Sequence, residues 1–393
     1  MNSASKVLKL MFEFKKTPSI NSGKMWMLKL GYFKLTQDKQ KDKDWIWIID
    51  HTIQMGKEKC LVILGIRTKD LPKSRALKYE DMEIIDLQPV KVSTGAIVYE
   101  QLKEATKITG APRAIVSDMG SDIKNGVAKF REQYSNTTHI YDLKHKIAIL
   151  VKKILEPDTQ WAEFKIFANF IVKKLQNTTL AGYRPPKQRE KARYMNIEQL
   201  VRWGEKIMIK FENLKKIENK NEDEIKLKNI LNDISNFKED IEIWSEMVEI
   251  IATIERFMNI HNLQLNSYEK FNELHLNELL KLKTKKAKIL STQILDFIKA
   301  QQEVCKMDER LLHSSEILES LFGKLKFLEK EQQKSSFTNL LLSVGAMVAK
   351  TSESIVKTAL ETVTTSMIDI WSKEKIGVTI QAQKKELYRL VSE

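Results

Sequence analysis

Asp50 sits inside "WIWIIDHTI" (residues 45–53), a run that otherwise has the β-branched and aromatic make-up of a buried strand. An unpaired carboxylate is costly to bury. Alternation puts Asp50 on one strand face with Ile46, Ile48 and Thr52, and Trp45, Trp47, Ile49 and His51 on the other. A merely solvated acid would not share its face with two isoleucines, so the strand is expected to deliver Asp50 to a site. His51, on the opposite face, is expected to be structural. Asp118 closes a second strand-like run in "AIVSDMGSD" (114–122), and ligand and catalytic groups collect at such strand ends. The competing role for Asp118 is helix N-cap, with Asp122 in the first turn. Farther on, "SSEILESLFGKLKFLEKE" (314–331) offers Glu316 and Glu319, three residues apart on one helix face; their alternative is plain solvation. Carboxylates without a His or Cys cluster suit Mg²⁺, which prefers oxygen ligands. Cys60 and Cys305 form no C-x-x-C, so neither a zinc site nor a disulfide framework is expected.

These acids need elements to hold them. Short β-branched runs predict strands at 45–53, 59–67, 83–92, 112–118 and 138–142, with helices at 95–108, 121–133 and from Leu143 onward. Three consecutive strands followed by alternating helices and strands predict a mixed sheet with packed helices. From residue 157 the apolar period becomes helical. It predicts helices over 196–217, 225–251, 268–283 and 286–306, with Trp203 and Trp244 as core residues. The expected domains are a basic arm (1–44), the first part of an α/β core (45–156), an all-helical insertion (157–307), a Glu-bearing core helix (308–333) and a helical C-terminal tail (334–393).

In this order the acids resemble those of RNase H-like DDE transposases of the bacterial insertion-sequence type. The resemblance is carried by "DWIWIIDHTIQMGKEKCLVILGIR", "GAPRAIVSDMGSDIKNGV", "IYDLKHKIAILVKKILE" and "SSEILESLFGKLK", and spans residues 24 to 345. It implies an α/β RNase H-like mixed sheet with helices on both faces, interrupted by a large all-α insertion. It also implies a catalytic and metal-binding triad of Asp50, Asp118 and Glu319 around two Mg²⁺ ions, with Mn²⁺ as a substitute. Glu319 is preferred to Glu316 because "ESLFG" is similar to the Glu-x-x-Phe-Ser pattern of hAT-type transposases. Lys326 stands where related bacterial enzymes place a DNA-contacting Lys, but Leu312 and Ser315 replace the Tyr and Arg usual upstream. Asp142 and His145 form D-x-x-H, similar to a hAT motif near the active site that touches DNA; capping of the following helix is the other role open to Asp142.

The 393 residues carry a net charge of +14, an excess that favours polyanionic partners. In "YRPPKQREKARY" (183–194), Arg184, Lys187, Arg189 and Arg193 are expected to track phosphates. No apolar run is long enough to span a membrane, and the first residues do not read as an export signal; a cytoplasmic, nucleoid-associated protein is expected. The expected activity is DNA transposition on element ends and target DNA, by a homodimer or higher oligomer. The alternatives are an RNase H-fold nuclease without strand transfer and a degenerate or domesticated copy that only binds DNA.

Overall fold

The computed structural model describes residues 18–53, 59–187, 197–218, 220–330, 339–377 and 387–389. The chain divides into two compact units: residues 1–142 with 310–393, and residues 143–309. The first unit contains α1 (Ile20–Thr36), α2 (Gly95–Thr109) and α3 (Ser121–Gln133) with strands β1 (Trp45–Ile53), β2 (Lys59–Arg67), β3 (Glu83–Val90), β4 (Ala114–Ser117) and β5 (Thr138–Tyr141). The second contains α4 (Leu143–Leu155), α5 (Thr159–Leu175), α6 (Ile197–Lys216), α7 (Glu222–Ile230), α8 (Lys238–His261), α9 (Ser267–Leu274), α10 (Leu276–Lys281) and α11 (Lys285–Gln302). The chain then returns to the first unit with α12 (Glu316–Lys330), α13 (Ser343–Met347), α14 (Glu353–Thr362) and α15 (Thr365–Lys375).

The five strands make one mixed sheet in the order β3-β2-β1-β4-β5. β2 runs antiparallel to both β1 and β3, whereas β1, β4 and β5 are parallel. Parallel neighbours require crossovers, and α2 and α3 supply them. Pro89 lies inside β3 and gives no N–H to a ladder; it is tolerated because β3 is an edge strand. Trp45, Trp47, Ile49, Leu61, Ile63, Ile85 and Ile115 pack on Val98, Leu102 and Ala105 of α2 and on Ile123, Val127 and Phe130 of α3. The two helices approach closely at Gly126, where a Cβ would lie 2.5 Å from the Val98 Cβ.

Ile46, Ile48, Val62 and Leu64 alternate with those residues and are fully buried on the other face. Helices that contribute nothing to the first cluster pack there: α12 on β1, and α1 and α13 on β3. The segment expected as a basic arm is therefore in part a packed helix. Ser19 caps α1 by accepting the Ser22 N–H (3.0 Å), and a Cβ on Gly31 would fall 1.7 Å from the Leu342 carbonyl oxygen. Lys34 is buried and donates to Val348 O (2.7 Å), Ala349 O (3.1 Å) and Thr351 Oγ1 (2.7 Å). Three acceptors satisfy the ammonium and tie α1 to the returning chain.

Among the described residues, every regular element of the second unit is helical. Its core is aromatic: Trp161 meets Trp244 edge-on at 4.8 Å, and Phe164 touches Trp161, Phe167, Trp203, Phe237 and Trp244. Trp203 and Trp244 are thus core residues. Two sequence expectations need correction. The run 225–251 is not one helix: α7 ends at Ile230 and a 3-10 turn (Asn232–Phe237) precedes α8. The helix after β5 belongs to the helical unit, not to the sheet, because the buried side of α4 (Ile147, Leu150, Val151) has α11 as its neighbour. Among the described residues no helix is long and apolar enough to cross a membrane.

Candidate functional site

The β1–β4 register pairs Ile46 with Ala114 and Ile48 with Val116. β4 ends at Ser117, so Asp118 directly follows the strand that pairs in parallel with the one carrying Asp50. Asp50 falls on the face turned away from α2 and α3, since its neighbour Ile49 lies in that helical cluster. Both acids are half-buried. Asp50 Oδ1 accepts the His51 N–H (2.7 Å). Asp118 Oδ1 accepts the Gly120 N–H (3.1 Å), which shapes the turn into α3. The residue at the N-cap position is Gly120 itself, so capping does not account for Asp118. Thr52 lies farther along the Asp50 face, and its buried hydroxyl has no hydrogen-bond partner among the described residues. Such a group can still bind a ligand or water.

His51 points the other way, as alternation requires. Its Nε2 is 3.3 Å from Ser93 Oγ and its Nδ1 is 3.7 Å from Asp122 Oδ2. Lys59 completes this group with an ion pair to Asp122 at 2.8 Å. Burial is the main cause that lowers His51 to about 4, whereas hydrogen bonds from Lys59 and Ser93 outweigh burial at Asp122 and lower it to about 2. A neutral imidazole beside an ionised, paired carboxylate holds β1 against the starts of α2 and α3.

Glu319 occupies the first turn of α12, the helix that packs on β1. Ile317, Leu318, Leu321 and Leu325 form the buried stripe; Glu319 flanks it half-buried, while Glu316 is exposed. The three acids are nevertheless not gathered: among the described residues no three His, Cys, Asp or Glu side chains come close enough to hold a metal ion. Asp50 and Asp118 are oxygen donors of the kind a hard cation takes, but among the described residues the complete three-carboxylate set is not assembled.

Asp142 is used differently from the sequence expectation. It is 0% exposed, so it cannot meet a DNA backbone. Its N–H donates to Ser117 O (2.9 Å), and its carboxylate receives the Ser315 N–H (2.8 Å) and hydroxyl (2.5 Å). Ser315, noted in the sequence only as a departure from a motif, is the residue that engages this buried acid. The neighbouring Tyr141 has its phenol pushed up to about 12 by burial and by the charges of Asp118 and Asp142. His145 is half-buried on α4, so D-x-x-H straddles the boundary between the two units.

The basic candidates are scattered. Arg184 and Lys187 are exposed; Arg184 donates from Nε to Ala181 O (3.0 Å). Arg189 and Arg193 lie outside the described residues. Lys326 is exposed on α12, where Lys324 sits 3.9 Å over the Tyr79 ring.

No family model and no curated protein matches the sequence. Among solved structures, the Drosophila P element transposase strand transfer complex aligns over 90% of this chain and 89% of that one, at 12% identity and a TM-score of 0.39. A likeness that loose decides nothing about fold or activity.

Proposed function

We propose that this chain is a metal-dependent DNA transposase of the RNase H-like DDE type, with the helical residues 143–309 as an insertion between its second and third acids. One observation supports the reading: β1, which carries Asp50, is the parallel neighbour of β4, which ends one residue before Asp118, in a β3-β2-β1-β4-β5 sheet. In this reading Asp50, Asp118 and Glu319 are the ligands of two Mg²⁺ or Mn²⁺ ions. When bound, such a pair supplies an activated water and a counter-charge for the phosphodiester in transit. The chain's own part is positional. β1 and the end of β4 fix the two aspartates, the Lys59–Asp122–His51 group braces β1 from behind, and the buried aliphatic residues beside Asp50 keep water from screening the site. The net charge of +14 draws DNA to the protein without reading its sequence, and work on two DNA ends suits a dimer or higher oligomer.

The test is cleavage of DNA carrying the element ends with Mg²⁺ or Mn²⁺. Wild-type protein should cut and then join those ends to target DNA. Asp50→Asn and Asp118→Asn should each abolish cleavage while DNA binding stays within about twofold, because a lost ligand disables the metal clamp and not the basic surface. Cutting that survives EDTA would sink the proposal, and cutting without joined products would indicate a nuclease on the same fold. The ungathered third acid favours a second reading, a DNA-binding copy without catalysis; DNA binding with no cleavage under any divalent metal would establish it.

A further inference from the structure

The outward side of α12 carries a strip that neither the sheet nor the proposed acid site uses. Ile317, Leu318, Leu321 and Leu325 bury one side of the helix. Helical spacing places Ser320, Gly323, Lys324 and Phe327 together on the opposite side, and all four are exposed. Phe327 keeps 65% of its surface in solvent. Gly323 is a gap in the strip: a Cβ there would meet nothing within 4 Å. Tyr79, from the connection between β2 and β3, lies along one edge. Its hydroxyl donates to Ser320 Oγ (2.5 Å), and Lys324 Nζ sits 3.9 Å over its ring.

A lone exposed phenylalanine is ordinary; its neighbours single this one out. An open aromatic face, a glycine that lets a ligand approach the helix backbone and an ammonium held over a second ring offer contacts to a flat base, to a sugar and to a phosphate. Single-stranded nucleic acid takes that combination, because every base has a stacking face and each nucleotide adds a phosphate charge. A duplex keeps its base faces stacked inside and could use only the lysine. The acids beside Tyr79 are engaged elsewhere: Asp81 pairs with Arg75 at 2.7 Å and Glu80 with Lys78 at 3.8 Å. Glu316 begins the same side of the helix, but it precedes Lys324 by roughly 12 Å along the axis, so its charge lies at the other end of the strip. Lys326 lies about 100° around the helix from Phe327 and is not part of it.

We infer that Tyr79, Gly323, Lys324 and Phe327 form a contact strip for single-stranded DNA, with a base stacked on Phe327 and a phosphate at Lys324. The choice of DNA rests on the transposase reading above, in which cutting exposes free strand ends. The contact itself needs no metal and none of the three acids. Phe327 follows Glu319 by roughly 12 Å along the same helix, so the strip holds an unpaired strand beside the proposed acid site rather than within it.

The experiment follows fluorescence anisotropy of a short labelled oligothymidine, of its duplex with oligoadenosine and of the matching oligouridine, with the full-length protein in EDTA. Phe327→Ala should weaken oligothymidine binding roughly 5–100-fold and change duplex binding by less than about twofold, because only the single strand stacks. Phe327→Trp should keep the affinity. Gly323→Leu should weaken single-strand binding too, although it removes no contact and adds its side chain to open surface. Melting of these variants no lower than wild type shows that the fold is intact. Lys324→Gln should reduce the slope of log affinity against log salt by about 0.7, the share of one phosphate on a single strand. Oligothymidine binding by Phe327→Ala that equals wild type would overturn the inference. So would equal weakening for single strand and duplex, a wild type that binds no single strand, or one that prefers the oligouridine. Cleavage with Mn²⁺ is scored separately. The expected binding pattern in a protein that never cuts DNA would remove the transposase reading and leave the strip standing; cutting and joining with no effect of Phe327→Ala would do the reverse.

Discussion

At the scale of single residues, His139 gives a test independent of any activity. It lies on β5, largely buried, with Nε2 2.8 Å from Ser117 Oγ. Burial first, then the charges of Arg131 and Lys124, lowers it to about 4, against an ordinary value near 6.5. Between those values the unfolded chain binds a proton that the folded chain refuses, so stability falls as pH drops from about 6.5 towards 4. His51 titrates in the same sense. His139→Gln should therefore flatten, without abolishing, the fall in denaturant midpoint between pH 6.5 and 4.5; an unchanged slope would show that His139 is not held neutral. Sequence alone was informative about Asp50 and Asp118, because strand alternation and a strand end are local patterns. It left Asp142 open between a DNA-contacting motif and a helix cap, since a D-x-x-H pattern says nothing of a partner at Ser315 that only tertiary structure supplies.

At the scale of elements, the α2–α3 contact limits what the sequence tolerates. Gly126 lies on the buried side of α3, where a methyl would meet the Val98 Cβ at 2.5 Å and the Gly95 carbonyl oxygen at 3.0 Å. An alanine in a helix gains about 1 kcal/mol in propensity, whereas forcing a methyl into a packed contact costs roughly 1–3 kcal/mol. Gly126→Ala should therefore lower unfolding free energy, and Val98→Ala in the same chain should recover part of the loss. Equal or higher stability of Gly126→Ala alone would mean the helices can part without cost. The strands were legible to within a residue or two because each is short, β-branched and bounded by turn residues. The break after Ile230 was not, because Ile234 and Phe237 stay buried within the 3-10 turn and so preserve the apolar period that a continuous helix would show. The packed α1 was hidden likewise: its basic residues suggested a solvated arm, while the close approach at Gly31 depends on Leu342 far along the chain.

At the scale of the whole molecule, the helical residues were visible as a change of period, but their limits were set by packing. The change of period placed the first changeover at residue 156, whereas by contacts α4 joins the helical unit, which begins at Leu143. This has a consequence for folding. The second unit has its own core, in which Trp161, Trp203, Phe237 and Trp244 each pack on Phe164. Asp158 is bound there as well: it accepts the Gln160 N–H (3.1 Å) at the start of α5, pairs with Lys286 at 2.7 Å and accepts from Trp244 Nε1 at 3.4 Å. Nothing in that set lies outside residues 143–309, and a unit with its own core can fold alone. A fragment of residues 143–309 should therefore give a helical spectrum and a single cooperative melt, followed by circular dichroism and tryptophan fluorescence. A fragment of 157–309, cut at the boundary that the change of period suggested, removes α4 and uncovers the surface it shares with α11. It should melt at least several degrees lower, because losing a packed helix costs more than the roughly 1 kcal/mol that shifts a domain of this size by about 2–4 °C. Equal melting of the two fragments would return α4 to the sheet.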